Sequence, residues 1–426
     1  MDILFVHQNF PGQYRHLAPA LLAAGHSCQS IGGRDSPGIP AVPHLRYKLA
    51  AAESVHFHPW AQDFHVKCRR AEAVAHQAFR LAQQGLQPDL IIGHPGWGEL
   101  LAIKDVFPHV PVLHQLEFVY QLSGADAGFD VEFSSQANKA LNWASSAQLR
   151  LRRAHQLLAF HDLDHAMAPT QWQASTAPRE FWGQISVIHE GVDTQQIRPS
   201  PLAHVQLQRA GLTFRSGDEL VTFVARNLEP YRGFHVFMRM LPLLQASRPN
   251  CHVVIVGADG VSYGSWPAEG GTWREVLLSE LAGQIDLSRI HFVGRLPHAV
   301  LHNLLQVTAC HVYLTYPFVL SWSLLEAMSC GAVVVASDTA PVSEIIRDGE
   351  NGFLIDFFDI KKIALKIAHV LGVRKELKVI SQAARKTIQL NYDLQTFCLP
   401  RQLLLVDQLL KGEEVSLPSD SDVRGV

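Results

Sequence analysis

Residues Val221–Gly233 read VTFVARNLEPYRG, and this stretch decides the fold. Its apolar opening predicts a buried strand over Leu220–Val224, which delivers Arg226 at the carboxyl end. Arg232 follows six residues later, immediately before Gly233 and a helix predicted over Phe234–Gln245. Two guanidiniums at the mouth of a sheet, beside a helix N-terminus, make a strong anion site. A pair of surface arginines in salt bridges fits these residues equally well.

Outward from this unit the same rhythm continues. Strands are predicted at His252–Val256, His291–Val293, Cys310–Leu314, Val333–Ala336 and Phe353–Ile355, with helices at Ala299–Leu305 and Ser323–Met328 between them. The first half alternates in the same way. Its strands are Ile3–Val6, Asp89–Gly93, Val110–Leu116, Ala166–Pro169 and Ser186–His189. A helix-like stretch ends at Gly25, and a second helix runs over about Ala71–Gln84. Alternating strands and helices imply parallel sheets covered on both faces. The expected fold is therefore α/β, with two doubly wound Rossmann-like domains facing each other across an interdomain cleft. Such sheets bind ligands beyond the carboxyl ends of their strands. Pro199 and Pro201 mark a linker near Ile197–Leu212. The expected division is an acceptor-side domain over 1–203, a nucleotide-sugar-binding domain over 204–390, a C-terminal helix over 391–412 packing back on the first domain, and a disordered Ser/Asp-rich tail over 413–426.

Composition narrows the function. A chain of 426 residues, 47% hydrophobic and 18% charged, is globular and long enough for two cores. Residues 1–200 hold 15 Lys+Arg against 17 Asp+Glu, and the whole chain has a net charge of −3. Neither value supplies the positive excess that nucleic-acid binding needs. No apolar run approaches the roughly 20 residues that cross a bilayer. Met1–Phe5 reads as a strand rather than a secretory signal. Six dispersed cysteines without CxxC pairs fit free thiols in a cytoplasmic protein and no cysteine metal site. The basic patches Lys67–Arg70 and Arg150–Arg153 read as solvated helix faces, with weak peripheral contact to anionic lipid as the alternative.

A second informative segment is Tyr316–Gly331, YPFVLSWSLLEAMSCG. A loop leads into a helix whose first turn is expected to hold Glu326. The backbone N–H groups of Leu320, Ser321 and Trp322 are placed to receive phosphate or sugar oxygens, and the Glu326 carboxylate to accept both ribose hydroxyls. A glutamate there is also favourable against the helix dipole alone. His94, Gly96 and Trp97 follow a strand end and suit an acceptor pocket, Trp97 offering a stacking face. Core packing fits Trp97 as well. Gly260–Trp273, rich in glycine and proline, reads as a mobile lid or as a long surface loop.

The order of these motifs resembles the retaining family-four glycosyltransferases of the GT-B fold. The resemblance rests on QNFPGQYRHLAPALLAAGH at 8–26, HEGVD at 189–193, ARNLEPYRGF at 225–234, HVVIVGADG at 252–260, HFVGRLP at 291–297 and SWSLLEAMSCGAVVVASDTAPVSEIIRDGENGFLI at 321–355. It covers nearly the whole chain. It implies a metal-independent transfer of a hexose-like unit, with retention, from a nucleoside diphosphate sugar (UDP or GDP) to a glycan, lipid or small-molecule hydroxyl. No cofactor is implied beyond the donor. Gly12 matches the glycine that approaches the donor phosphate, with Gln13 beside it. Arg226 matches the diphosphate-binding arginine, and Arg232 stands where the family usually has lysine. Arg295 falls where backbone groups hold the nucleobase, with Gly257 at the preceding strand end. Glu326 matches the second glutamate of an E-x7-E pattern. The first glutamate of that pattern is here Phe318, and Glu117 stands where a histidine is usual, with His114 three residues earlier; either touches the sugar or acceptor. An epimerase or hydrolase on the same fold, and a non-catalytic carbohydrate-binding scaffold, are the alternatives.

Overall fold

The computed structural model describes residues 1–49, 57–133, 143–207 and 211–417. The last nine residues of the predicted tail, 418–426, lie outside the described residues. The chain forms two compact units. Unit 1 comprises Met1–Ala127, Asn138–Gly191 and Leu394–Val426; unit 2 comprises Gly128–Ala137 and Val192–Asp393.

Unit 1 holds seven strands: β1 (Asp2–Val6), β2 (Ser27–Gly33), β3 (His44–Tyr47), β4 (Leu90–Gly93), β5 (Val112–Gln115), β6 (His165–Ala168) and β7 (Ile185–Val187). All pair in parallel, in the order β3-β2-β1-β4-β5-β6-β7. Ile3, Leu4, Phe5 and Val6 are all fully buried, as expected of a central strand covered on both faces. On one face, β1 and β4 pack against the helices Leu17–Ala23 and Leu399–Lys411 through Leu17, Leu21, Leu405 and Val406. The other face is covered by the helix Gln62–Gln83 through Val74, Ala78 and Leu81.

The sequence reading omits β2 and β3. β2 reads SCQSIGG and lacks an apolar run, because its neighbours demand small residues. A side-chain carbon on Gly33 would lie 2.7 Å from the Gln8 carbonyl oxygen, so glycine lets the loop after β1 cross closely.

Unit 2 begins with an antiparallel pair, β8 (His204–Leu207) and β9 (Leu212–Arg215). β8 lies within the stretch read as linker, and β9 begins at its last residue. Val205, Leu207 and Phe214 are buried against Leu304 and Val307, which explains the pairing. The main sheet contains β10 (Leu220–Asn227), β11 (His252–Ala258), β12 (Ile290–Gly294), β13 (Cys310–Tyr313), β14 (Val333–Ser337) and β15 (Phe353–Ile355), all parallel, ordered β12-β11-β10-β13-β14-β15. Its largest core surrounds Phe223, Phe234 and Phe237.

Residues 128–133 also belong to unit 2. The Asp130 carboxylate meets Tyr316 Oη at 2.7 Å and His235 Nε2 at 3.0 Å. Phe129 packs against Tyr316, Phe357 and Phe358. Glu132 pairs with Arg239, which also binds Glu280. Burial would raise the Asp130 carboxyl, but the His235 and Tyr316 bonds hold it below its ordinary value.

In each sheet the chain order reverses once, between β1 and β4 and between β10 and β13. Loops at these points diverge and open a crevice at the strand ends. Among the described residues, no helix is long and apolar enough to cross a membrane.

Gly233 links the turn after β10 to the helix Phe234–Ser247 at φ +68°, and a side-chain carbon there would overlap Leu314. Left-handed strain and the clash together should make Gly233→Ala destabilising by about 2–4 kcal/mol. Chemical unfolding followed by circular dichroism checks this; a loss below about 1 kcal/mol contradicts the steric account.

Candidate active site

Each unit gathers a cluster of polar side chains at its own switch point. In unit 1, His7 directly follows β1 and His94 directly follows β4. Each ring closes a tight turn by accepting a backbone N–H two residues on: Asn9 N to His7 Nδ1 at 3.0 Å, and Gly96 N to His94 Nδ1 at 2.9 Å. His189, two residues after β7, repeats the arrangement with Gly191 N at 2.9 Å. Accepting at Nδ1 leaves the proton of a neutral ring on Nε2, which points away from the turn.

His94 Nε2 lies 3.3 Å from Glu117 Oε2, and the Gln13 amide donates to the other Glu117 oxygen. Gln173 Nε2 holds the Glu117 carbonyl at 2.7 Å. Burial alone would raise the Glu117 carboxyl; the His94 and Gln13 bonds outweigh it and keep the acid ionised below its usual range. Trp97 stacks on His94 with centroids 3.9 Å apart, and His7 meets Trp97 edge-on at 5.0 Å. Gly12, at φ +48°, lies over the His7 ring, where a side-chain carbon would collide. The structure thus brings Gly12, Gln13, His94, Trp97 and Glu117 together.

His114 is not part of this group. It is fully buried within β5, and neither ring nitrogen has a hydrogen-bond partner among the described residues. Burial first, then nearby His94 and Lys104, push it down to about 3, so it is a neutral core residue. Of the two residues left open by the sequence, only Glu117 reaches the polar cluster.

The sequence reading missed His7 and Glu99. Glu99 is fully buried, accepting from Tyr47 Oη at 2.6 Å and Gln8 N at 3.0 Å. The recurrence of histidine just beyond strand ends was the available signal.

In unit 2 the two arginines differ sharply. Arg226 is exposed near the end of β10, and among the described residues no hydrogen bond or ion pair engages it. Arg232 is buried, donating to Thr315 Oγ1 at 2.9 Å and to the Val319 carbonyl at 2.8 Å. Its guanidinium lies 5.3 Å from the Tyr263 ring and 5.8 Å from that of Phe318. Among the described residues it forms no ion pair with a carboxylate.

Glu229, three residues earlier, is spent elsewhere. Its buried carboxylate accepts the N–H groups of Ser262 (3.0 Å), Tyr263 (3.2 Å) and Gly264 (2.9 Å). Asn227 adds a 2.6 Å bond to Ser262 Oγ. The first part of the predicted lid is therefore clamped, and the clamp sets Tyr263 over Arg232. Phe318 is buried edge-on to Tyr231, at 5.2 Å.

Two expectations on the loop at 316–331 are corrected. The helix is Trp322–Ser329, capped by Ser321, so Glu326 is its fifth residue and stands past the first turn. The helix dipole therefore gives it little support. The Ser321 N–H is already donated to Tyr313 Oη at 2.7 Å and is not directed at a ligand. Leu320 is buried in the core, and Trp322 opens the helix half-buried. Gly257 is buried in β11, where a side-chain carbon would meet Leu228 and the Ala225 carbonyl. Its glycine answers the chain's own packing. Arg295 is exposed just after β12. Of the basic patches, Arg152 and Arg153 are bonded to Tyr120.

Comparison with known proteins places the family and the fold. Residues 24–197 match the family described as "Glycosyl transferase family 4 group", and residues 205–387 match "Glycosyl transferases group 1". The chain belongs to the family-four glycosyltransferases of the GT-B fold. It is 30% identical over 224 residues to the D-inositol 3-phosphate glycosyltransferase of Mycolicibacterium vanbaalenii, an alignment covering 51% of this chain and 44% of that protein. The chain thus spans less than half the length of that relative. Sucrose-phosphate synthase from Thermosynechococcus elongatus superposes with a TM-score of 0.70 at 18% identity, covering 97% of this chain and 100% of the other. HepE of Anabaena, in complex with UDP and glucose, gives 0.66 at 17% identity, covering 96% and 100%. At such identities the likeness is one of fold.

Burial pushes His7 and His114 down to about 3 and His189 to about 4, from an ordinary 6.5. Below pH 6.5 the unfolded chain takes up protons that these folded rings refuse. Their contribution to stability is therefore complete above pH 6.5 and declines as the pH falls toward 3–4, by about 1.4 kcal/mol per pH unit for each ring. Urea midpoints measured at pH 8, 7, 6 and 5 should be level above 6.5 and drop below it. A midpoint unchanged down to pH 5 would show that these rings are protonated in the fold.

Proposed function

We propose that the protein is a retaining glycosyltransferase that moves a hexose-like unit from a nucleoside diphosphate sugar to a hydroxyl acceptor. The observation that carries the reading is the buried, carboxylate-free Arg232 beside the exposed Arg226 at the β10/β13 switch point. A guanidinium kept out of water with no carboxylate bonded to it directly is poised for an anionic ligand. The two arginines take up the charge that develops on the departing diphosphate, which lowers the barrier where the charge appears. With that charge met by arginine, the transfer needs no divalent cation at the phosphates.

The remaining roles follow from chemistry. Glu326, buried and acceptor-only, takes the ribose hydroxyls. Gly12 allows close backbone approach, and Gln13 and Glu117 offer hydrogen bonds to the transferred sugar or the acceptor. The acceptor hydroxyl attacks on the face the diphosphate leaves, and a phosphate oxygen takes its proton. Retention of configuration follows. Support for a nucleotide-sugar donor comes from family membership and from the HepE complex with UDP and glucose. The donor sugar and the acceptor class are open to a panel of nucleotide sugars.

Arg226 is exposed, so Arg226→Ala should leave the circular dichroism spectrum unchanged while lowering kcat/KM by about 100-fold or more. Arg232→Lys restores the cation the family usually carries there and should retain nucleotide binding and measurable turnover, whereas Arg232→Met should lose both. Near-normal turnover of Arg226→Ala would sink the assignment. Donor consumption without acceptor would mark the protein as a hydrolase or epimerase. Absence of any thermal shift with UDP or GDP would favour a scaffold.

A further inference from the structure

His298 and His302 lie four residues apart in the helix His298–Val307 and so project from one face. Their rings are 5.7 Å apart. Glu326, in the helix Trp322–Ser329, points its carboxylate at them from an environment only 3% exposed. Among the described residues that carboxylate accepts no hydrogen bond. It faces His302 Nε2 at 3.8 Å, beyond hydrogen-bond reach. His302 Nε2 is itself buried and has no hydrogen-bond partner among the described residues. One ligand atom from each of the three residues lies within 4.8 Å of the others.

Two orphaned polar groups facing each other at this distance resemble ligands of one ion more than members of an ion pair. Around a tetrahedral zinc ion, bonds of about 2.0–2.1 Å place ligand atoms roughly 3.4 Å apart. Small side-chain rotations close the difference from 3.8 Å. Two imidazoles and a carboxylate suit zinc or cobalt rather than magnesium or calcium, which prefer oxygen ligands. His298 is exposed, so the site is open to solvent for an entering ion and a fourth, water ligand.

We propose that His298, His302 and Glu326 form a site for a divalent transition-metal ion, and that occupying it withdraws Glu326 from the nucleotide. The second half rests on the ribose role given to Glu326 above. Zinc would then act as an inhibitor competing with the donor, distinct from any part in the transfer chemistry.

The test uses the full chain. Titration with Co(II) should give the visible absorption bands of a four-coordinate ion, and added Zn(II) should abolish them. His298→Ala removes an exposed ligand without disturbing the core, and should weaken Co(II) binding by at least about tenfold, a loss that even outer-shell changes can cause. His302→Gln, checked for folding by circular dichroism, should do the same. UDP binding, measured calorimetrically, should weaken in proportion to free Zn(II) in the unaltered protein and stay constant in His298→Ala. No Co(II) bands in the unaltered protein, or equal bands in both variants, would overturn the site. Bands lost in the variants with UDP affinity indifferent to Zn(II) would overturn the competition. Failure of UDP to bind even without metal, with the bands intact, would count against the donor role of Glu326 and leave the metal site standing.

Discussion

The guanidinium of Arg232 is removed from water with no carboxylate bonded to it among the described residues, Glu229 acting on it only from a distance, and the surroundings in unit 2 are built to tolerate that. Desolvating a cation is costly, and neutral groups recover only part of the loss. Here they are Thr315 Oγ1, the Val319 carbonyl and the faces of two aromatic rings. These supply partial negative charge and geometry while leaving the formal charge uncancelled. Glu229, the nearest acid in sequence, is diverted to three backbone N–H groups of the loop at 262–264. That diversion has two effects. It denies Arg232 a salt bridge, and it fixes Tyr263 where its ring covers the guanidinium.

Unit 1 meets the opposite requirement. Its cluster sets the Glu117 carboxylate among rings and amides, bonded to Gln13 and facing His94, and among the described residues no Lys or Arg pairs with it. Turn geometry rather than charge orders these groups. Histidine after a strand end takes the role more often played by Asn or Asp, accepting the i+2 amide and aiming its remaining nitrogen outward. The two clusters are thus electrostatically unlike, one centred on a buried guanidinium and the other on a carboxylate.

Much of this was legible in sequence, for a definite reason. Central strands such as Ile3–Val6 and Leu220–Val224 are buried on both faces and read as uninterrupted apolar runs. Arg226 and Arg232 are conspicuous because they follow such a run directly. The strand Ser27–Gly33 was not legible, since close approach of the loop after β1 replaced bulk with glycine and serine. Long-range partners were hidden altogether. Nothing near Asp130 announces His235 or Tyr316, and nothing near Glu229 announces the loop it clamps. The Ser321 amide looked available because its acceptor, Tyr313 Oη, belongs to the preceding strand.

Phe318 joins the legible and illegible parts of the site. A glutamate there, as the E-x7-E pattern has it, would stand close to Arg232 and compete with a phosphate for its charge. The phenyl ring, 5.8 Å from the guanidinium, offers attraction without neutralisation. It also packs against Tyr231 and Tyr263, extending the aromatic wall around the arginine. One substitution therefore strengthens the anion site and removes an acceptor for sugar hydroxyls. At position 226 the residue follows the family pattern, at 232 arginine replaces lysine with the charge kept, and at 318 the charge itself is lost. On the reading proposed above, recognition of the sugar rests on groups other than position 318.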